Sequence, residues 1–224
     1  MILVAADIPL AKSPITGRRF CDGEVSRVFG GRGCSTHSPN EKRPGTVSEQ
    51  IRDGFGTLGF KLATSYDEIT GPTLIETYPH PALLSLTMAS YRVPYKVCNS
   101  RRYWPNCDAA TRPSSMIKEL TRIRDRLDEL ISGISIDTFE HATSFQQLKP
   151  IEDMLDALIC AWLGTLILER KATPLGNHDS AIWVPADSIS GKPKDFDELL
   201  HGTPASEAFM LKVEKLPVQE RSFH

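Results

Sequence analysis

The chain has 224 residues, 40% apolar and 24% charged, with 26 Lys+Arg against 28 Asp+Glu. Those are the proportions of an ordinary globular domain long enough to bury a core. No apolar run approaches the roughly 18 residues of a membrane span, so no membrane partner is expected. The near-neutral charge excludes a protein that coats nucleic acid through uncompensated Lys and Arg, though not an enzyme with a local basic strip. Five cysteines, an odd number without a C-x-x-C pair, point to reduced thiols. With no basic segment ahead of Ile2–Ala6, a cytoplasmic setting is expected and a secretory leader is not.

Ile2 to Ala6 is an unbroken apolar run stopped at Asp7-Ile-Pro9, the pattern of a strand buried on both faces. Residues 11–46 are rich in Gly, Pro, Ser and Arg and read as an irregular stretch, with a short helix around Asp22 to Phe29. Within it, Cys34-Ser-Thr-His37 has ligand-like spacing, but no second pair follows to complete the four ligands of a structural zinc, and a polar loop is the simpler reading. Thr46 or Ser48 opens a helix predicted through about Ala63, with Ile51, Phe55, Leu58 and Leu62 at helical spacing. Thr73 to Tyr78 is a second strand, bounded by Gly71-Pro72 and Pro79, and a short helix near Pro81 to Ala89 follows. Residues 92–113 read as irregular and basic. A helix from Ser114 or Ser115 to about Ser132 carries Ile117, Leu120, Ile123, Leu127, Leu130 and Ile131 on one stripe. A short helix is expected near Asp137 to Gln147. Pro150 then opens the most apolar helix, to about Arg170. Ser180 to Pro185 is a third strand. The organisation expected is one domain over residues 1–190 and peripheral helices or tail over 191–224.

Four acids stand out by position. Asp7 closes the first strand, Glu76 lies near the C-terminal end of the second, and Asp153 and Asp156 sit three residues apart on an apolar helix. That spacing puts both on one face, with Glu152 rotated away. Carboxylates among Leu155, Leu158, Ile159, Trp162, Leu163 and Leu166 are costly to bury unpaired, and a hard cation would offset the cost. Two such ions can activate a water and stabilise the leaving oxygen in phosphodiester hydrolysis. Structural alternatives stand beside this. Asp7 serves equally as a strand-end turn, Glu76 as a partner of Arg101 or Arg102, and Asp153 as a first-turn residue favoured by the helix dipole.

Taken in order, Val4-Ala-Ala-Asp-Ile-Pro-Leu10, Arg19-Phe-Cys-Asp22 with Arg27 and Gly30-Gly-Arg32, Leu74-Ile-Glu-Thr-Tyr-Pro-His80, Tyr95-Lys96, Asp153-Met-Leu-Asp-Ala-Leu158 and Ala181-Ile-Trp-Val-Pro185 resemble the DUF429 family of predicted nucleases. The resemblance spans most of residues 2–185. It implies an α/β, RNase H-like mixed sheet flanked by helices, with acids gathered at one edge of the central strands. Carried over, Asp7, Glu76, Asp153 and Asp156 become the catalytic and metal-binding acids, with Mg²⁺ or Mn²⁺ as cofactor. His80 takes the family's Pro-His position, where capping the helix from Pro81 is as good a role as a catalytic one. The family pattern has an earlier strand bearing a Gly-x-Asp acid and a hairpin, and this sequence starts at the later strand. An N-terminally shortened fold, weak or absent cleavage with Mg²⁺, and self-association through exposed sheet edges are therefore expected.

No acid lies between Glu76 and Asp108, whereas Arg92, Lys96, Arg101 and Arg102 do, interleaved with Tyr91, Tyr95, Tyr103 and Trp104. Cations with stacking rings suit a nucleic acid, DNA or RNA. Arg18, Arg19, Arg27 and Arg32 follow the Asp7 strand and could flank the same site, whereas the alternating charges from Lys118 to Glu129 make a solvated helix face. The expected function is a divalent-metal-dependent nuclease. The alternative is a non-catalytic RNase H-like descendant that binds nucleic acid or a protein. A nucleotide-binding P-loop, a nucleophile elbow and a dinucleotide fingerprint are all missing from the sequence.

Overall fold

The computed structural model describes residues 1–189 apart from 132, 134, 135 and 137. The chain is α/β, with an open, mixed five-stranded sheet and seven α-helices among the described residues, consistent with an RNase H-like class. The strands are β1 (Leu3–Ala6), β2 (Lys61–Leu62), β3 (Thr73–Thr77), β4 (Ala172–Gly176) and β5 (Ala181–Pro185). β3 is the central strand, and all five of its residues are buried. It pairs in parallel with β1 from Leu3↔Thr73 to Ala6↔Glu76, with β2 through its first residues, and with β5 through Glu76↔Ile182 and Thr77↔Trp183. β4 closes the far side, antiparallel to β5.

The helices are α1 (Phe20–Phe29), α2 (Val47–Thr57), α3 (Pro79–Leu86), α4 (Ser100–Tyr103), α5 (Arg112–Leu130), α6 (Phe145–Leu168) and α7 (Ala186–Ile189). α6 covers the strands. Its Leu155, Ile159, Trp162, Leu163 and Ile167 form one core with Ile75 and Trp183, against which Leu3 and Ala5 also pack. Gly164 lets the helix come close to β1, since a Cβ there would lie 3.2 Å from Leu3 Cδ2. α5 adds Met116, Leu120, Ile123 and Leu127 to the same core, and its alternating charges stay outside in pairs such as Arg122–Glu119 and Arg126–Glu129. On the other face of the sheet, Cys21, Val25 and Phe29 of α1 meet Ile182 and Val184.

This division follows from the two-residue period of a strand. Leu3, Ala5, Ile75, Thr77 and Trp183 point to the α6 side, while Glu76, Ile182 and Val184 point to the α1 side.

Several boundaries differ from expectation. α6 starts at Phe145, not Pro150, because Ser144 and Gln147 form a capping box: Ser144 Oγ accepts from the Gln147 N–H, and Gln147 Oε1 accepts from the Ser144 N–H. Pro150 lies inside the helix and forgoes only its own bond to the carbonyl one turn back. The short helix expected near Asp137 to Gln147 does not form as a separate element: residues 138–144 are turn and loop, Phe145–Gln147 are the first residues of α6, and Asp137 lies outside the described residues. α2 stops at Thr57, where Gly56 and the left-handed Gly59 end it, and Lys61–Leu62 then pairs with β3 as a strand. β4 went unread because Pro174 argues against a strand, yet an edge strand tolerates it. The expected segment 191–224 lies outside the described residues.

Candidate metal centre and adjoining cleft

Asp7 follows β1 directly and continues the Leu3–Ala5 parity toward α6. The residue is exposed to solvent, although protein crowds around its carboxyl. That crowding lifts its pKa to about 6; Lys96 opposes the rise and Asp156 adds to it. Asp7 and Asp156 therefore share one face of the sheet and interact. Cys160, one turn after Asp156 on α6, has its thiol 3.1 Å from Thr77 Oγ1, and burial pushes it up to about 12, with Asp7 and Asp156 contributing.

Asp156 is held from two sides. Tyr95 Oη donates to its Oδ1 at 2.6 Å, and Lys96 Nζ contacts its Oδ2. Burial raises its pKa against the pull of Lys96 and Tyr95. Lys96 Nζ also lies 3.6 Å from Glu152 Oε1. Contrary to the spacing argument, Glu152 is not rotated away. It is buried and stands one turn before Asp156, where i and i+4 share a face, accepting from the Val97 N–H at 2.7 Å and from Lys149 at 3.0 Å. Asp153 is exposed and pairs with Lys149. Oxygens of Glu152, Asp153 and Asp156 all lie within 4.8 Å of one another. With Asp7, four carboxylates face two ammonium groups, Lys96 and Lys149.

Glu76 is placed elsewhere. Its strand parity sends it to the α1 face, where Arg19 binds both of its oxygens, at 2.5 and 2.7 Å, and the Leu10 N–H donates at 2.6 Å. Arg19 continues to Asp22 through Nε and Nη2, and to the Leu10 carbonyl. Burial drives the Glu76 pKa up, against the pull of Arg19 and the Leu10 N–H. Its partner is thus Arg19 and not Arg101 or Arg102, both of which are exposed on α4.

The other cations expected to hold phosphate are scattered. Arg32 is buried and spends its guanidinium on the carbonyls of Ala89, Ser90 and Ser188. Arg27 pairs with Glu24. Arg18 donates to Ser38, Ser26 and the Asp22 carbonyl. Cys21 and Cys34 pack in the apolar cluster on the α1 face, which leaves the Cys34–His37 segment a loop. His80 is not a cap. It lies within α3, buried, with Nε2 2.6 Å from Arg92 Nη2 and Tyr78 and Tyr95 edge-on to its ring. Burial, with Arg92 next, holds it well below its usual pKa.

A cleft of about 970 Å³ opens beside Asp7. Arg19, Asp22 and Glu76 belong to its lining, together with Tyr78, Ile182 and the 36–44 loop with His37, Lys42 and Arg43. Arg18 braces that loop through Ser38, and Thr36 ties it to the Asp22 carbonyl. The sequence reading gave none of His37, Lys42 and Arg43 a phosphate-binding role. The adjacent Lys42-Arg43 was the available signal, but nothing in a Gly/Pro-rich stretch shows which loop folds back over Asp7.

A family model described as "Protein of unknown function (DUF429)" matches residues 1–180. The chain belongs to the DUF429 family. No curated protein and no solved structure matches it. For this DUF429 protein the acidic cluster on α6 is compatible with a metal site, and no described helix is long and apolar enough to cross a membrane.

Proposed function

We propose that this DUF429 protein is a divalent-metal-dependent phosphodiesterase acting on DNA or RNA, with Asp7 and Asp156 as the principal ligands of Mg²⁺ or Mn²⁺. The observation that carries the reading is the charge balance around them. Among the described residues, Asp7, Glu152, Asp153 and Asp156 are met by Lys96 and Lys149, which leaves two negative charges in excess, the charge of one divalent ion. The donors are hard oxygens, as those ions require, and each bonded Asp156 oxygen keeps a lone pair. A bound ion would supply a water of lowered pKa and stabilise the leaving oxygen. The chain's own residues do the rest. Tyr95 and Lys96 orient Asp156, while His37, Lys42 and Arg43 hold the phosphates of a strand lying in the cleft. Glu76 fixes the cleft wall through Arg19 and does not ligate.

The test is a calorimetric titration of Mn²⁺ into the full chain and into Asp7→Asn and Asp156→Asn, followed by a gel assay on labelled DNA and RNA with Mg²⁺, Mn²⁺ or EDTA. Binding by the parent chain, weakened at least about tenfold in both variants, with EDTA-sensitive cleavage of either strength, supports the reading. No Mn²⁺ binding at millimolar concentration overturns it. The non-catalytic alternative draws on Lys96, whose ammonium already sits among the acids. It is favoured by retention of oligonucleotide with no cleavage in any metal.

A further inference from the structure

The position of Lys96 carries more than orientation. Its ammonium contacts Asp156 Oδ2 and lies 3.6 Å from Glu152 Oε1, so it stands where a cation on Asp156 would feel it most strongly. Oxygen-bound divalent ions sit about 2.0–2.6 Å from their ligands, and a second positive charge a few ångströms away opposes them in a poorly screened recess. Yet Lys96 is not locked. It belongs to the segment between α3 and α4, its side chain remains 18% exposed, and its ammonium rests 4.9 Å from the centroid of the Tyr95 ring. A four-carbon stem lets the ammonium leave without moving the backbone. Asp156 keeps the Tyr95 hydroxyl when it does, and Glu152 keeps Lys149 and the Val97 N–H. Asp7, which feels both Lys96 and Asp156, also lines the cleft in which a phosphate would lie.

Resting on the metal-site reading above, we infer that Lys96 is a resident cation which a substrate phosphate draws off Asp156, so that metal and nucleic acid load together. The ammonium exchanges one anionic partner for another, and the vacated Asp156 oxygen becomes available to the metal. By linkage each ligand must then tighten the other.

The experiment titrates Mn²⁺ into the parent chain, Lys96→Met and Lys149→Met, each with and without a single-stranded oligonucleotide of non-cleavable phosphorothioate linkages. Lys96→Met should bind Mn²⁺ at least about tenfold more tightly than the parent, within the range of ordinary site-to-site coupling. The oligonucleotide should tighten Mn²⁺ binding in the parent and not in Lys96→Met. Lys149→Met, which removes the same charge from the solvent side of Glu152, should change affinity much less. Equal tightening in both variants, or none in Lys96→Met, overturns the inference. If Lys96→Met does not fold, Lys96→Gln keeps a donor to Asp156, removes the charge and takes its place in the comparison. Absence of Mn²⁺ binding from every chain overturns the metal-site reading instead, which keeps the two failures apart.

Discussion

Replacing Arg19 by Met should be among the most damaging single changes outside the apolar core. The guanidinium makes five side-chain hydrogen bonds: two to Glu76, two to Asp22 and one to the Leu10 carbonyl. Both carboxylates are buried, Glu76 at 4% and Asp22 at 1% exposure, so the substitution leaves two acids inside the protein with one backbone donor each, from Leu10 and Arg19 itself. Breaking a buried ion pair by removing one partner costs about 3–5 kcal/mol, about a fifth or more of a typical domain's stability. With a urea slope of about 2 kcal/mol/M, the unfolding midpoint should fall by about 2 M. The change is followed by tryptophan fluorescence, since Trp104, Trp162 and Trp183 are all buried.

The loss should also depend on pH. Without Arg19 nothing but the Leu10 N–H resists the burial that drives the Glu76 pKa up from 4.5. The native state then holds a proton that the unfolded chain releases, so native stability recovers as pH falls. The deficit should shrink between about pH 8 and about pH 5. Arg19→Lys, which keeps the charge and loses the fork, should fall between parent and Met. A midpoint shift under about 0.5 M, or a deficit equal at both pH values, would refute the claim that this ion cluster holds the cleft wall.

Asp7→Asn should stabilise the metal-free chain near pH 8, by about 1 kcal/mol once solvent screening of its open face is allowed for, and the gain should vanish below about pH 4, where the parent acid is protonated in both states. Thermal melts at the two pH values read this. Mn²⁺ affinity of the parent should rise with pH through about 6, the folded pKa of Asp7, since the ligand must be ionised. Gly176→Ala should cost more than about 3 kcal/mol, because its Cβ would lie 2.1 Å from the Ser180 carbonyl oxygen in the β4–β5 hairpin; a normal melting temperature contradicts that packing. Gly164→Leu should cost about 1–3 kcal/mol by pushing α6 off Leu3, whereas Gly164→Ala should be near neutral, its helix gain offsetting a 3.2 Å contact.

By itself the sequence determined what depends on neighbours in the chain. β1, β3 and β5 were legible as short apolar runs bounded by Pro or Gly, and α5 and the apolar face of α6 as helical stripes, because side-chain period and burial are local patterns. The acids Asp7 and Asp156 could be singled out on the same ground. The tertiary structure decided everything that rests on pairing distant segments. β2 is two residues long and is a strand only because β3 offers it hydrogen-bond partners. Glu76 meets Arg19 across 57 positions, and a one-residue difference in strand parity puts it on the α1 face while Asp7 looks toward α6. Lys96 reads as one more basic loop residue until α6 brings Asp156 and Glu152 against it. Charge pairing is set by distance in space, and a lone charged residue in a loop carries no mark of the partner that the fold will bring to it.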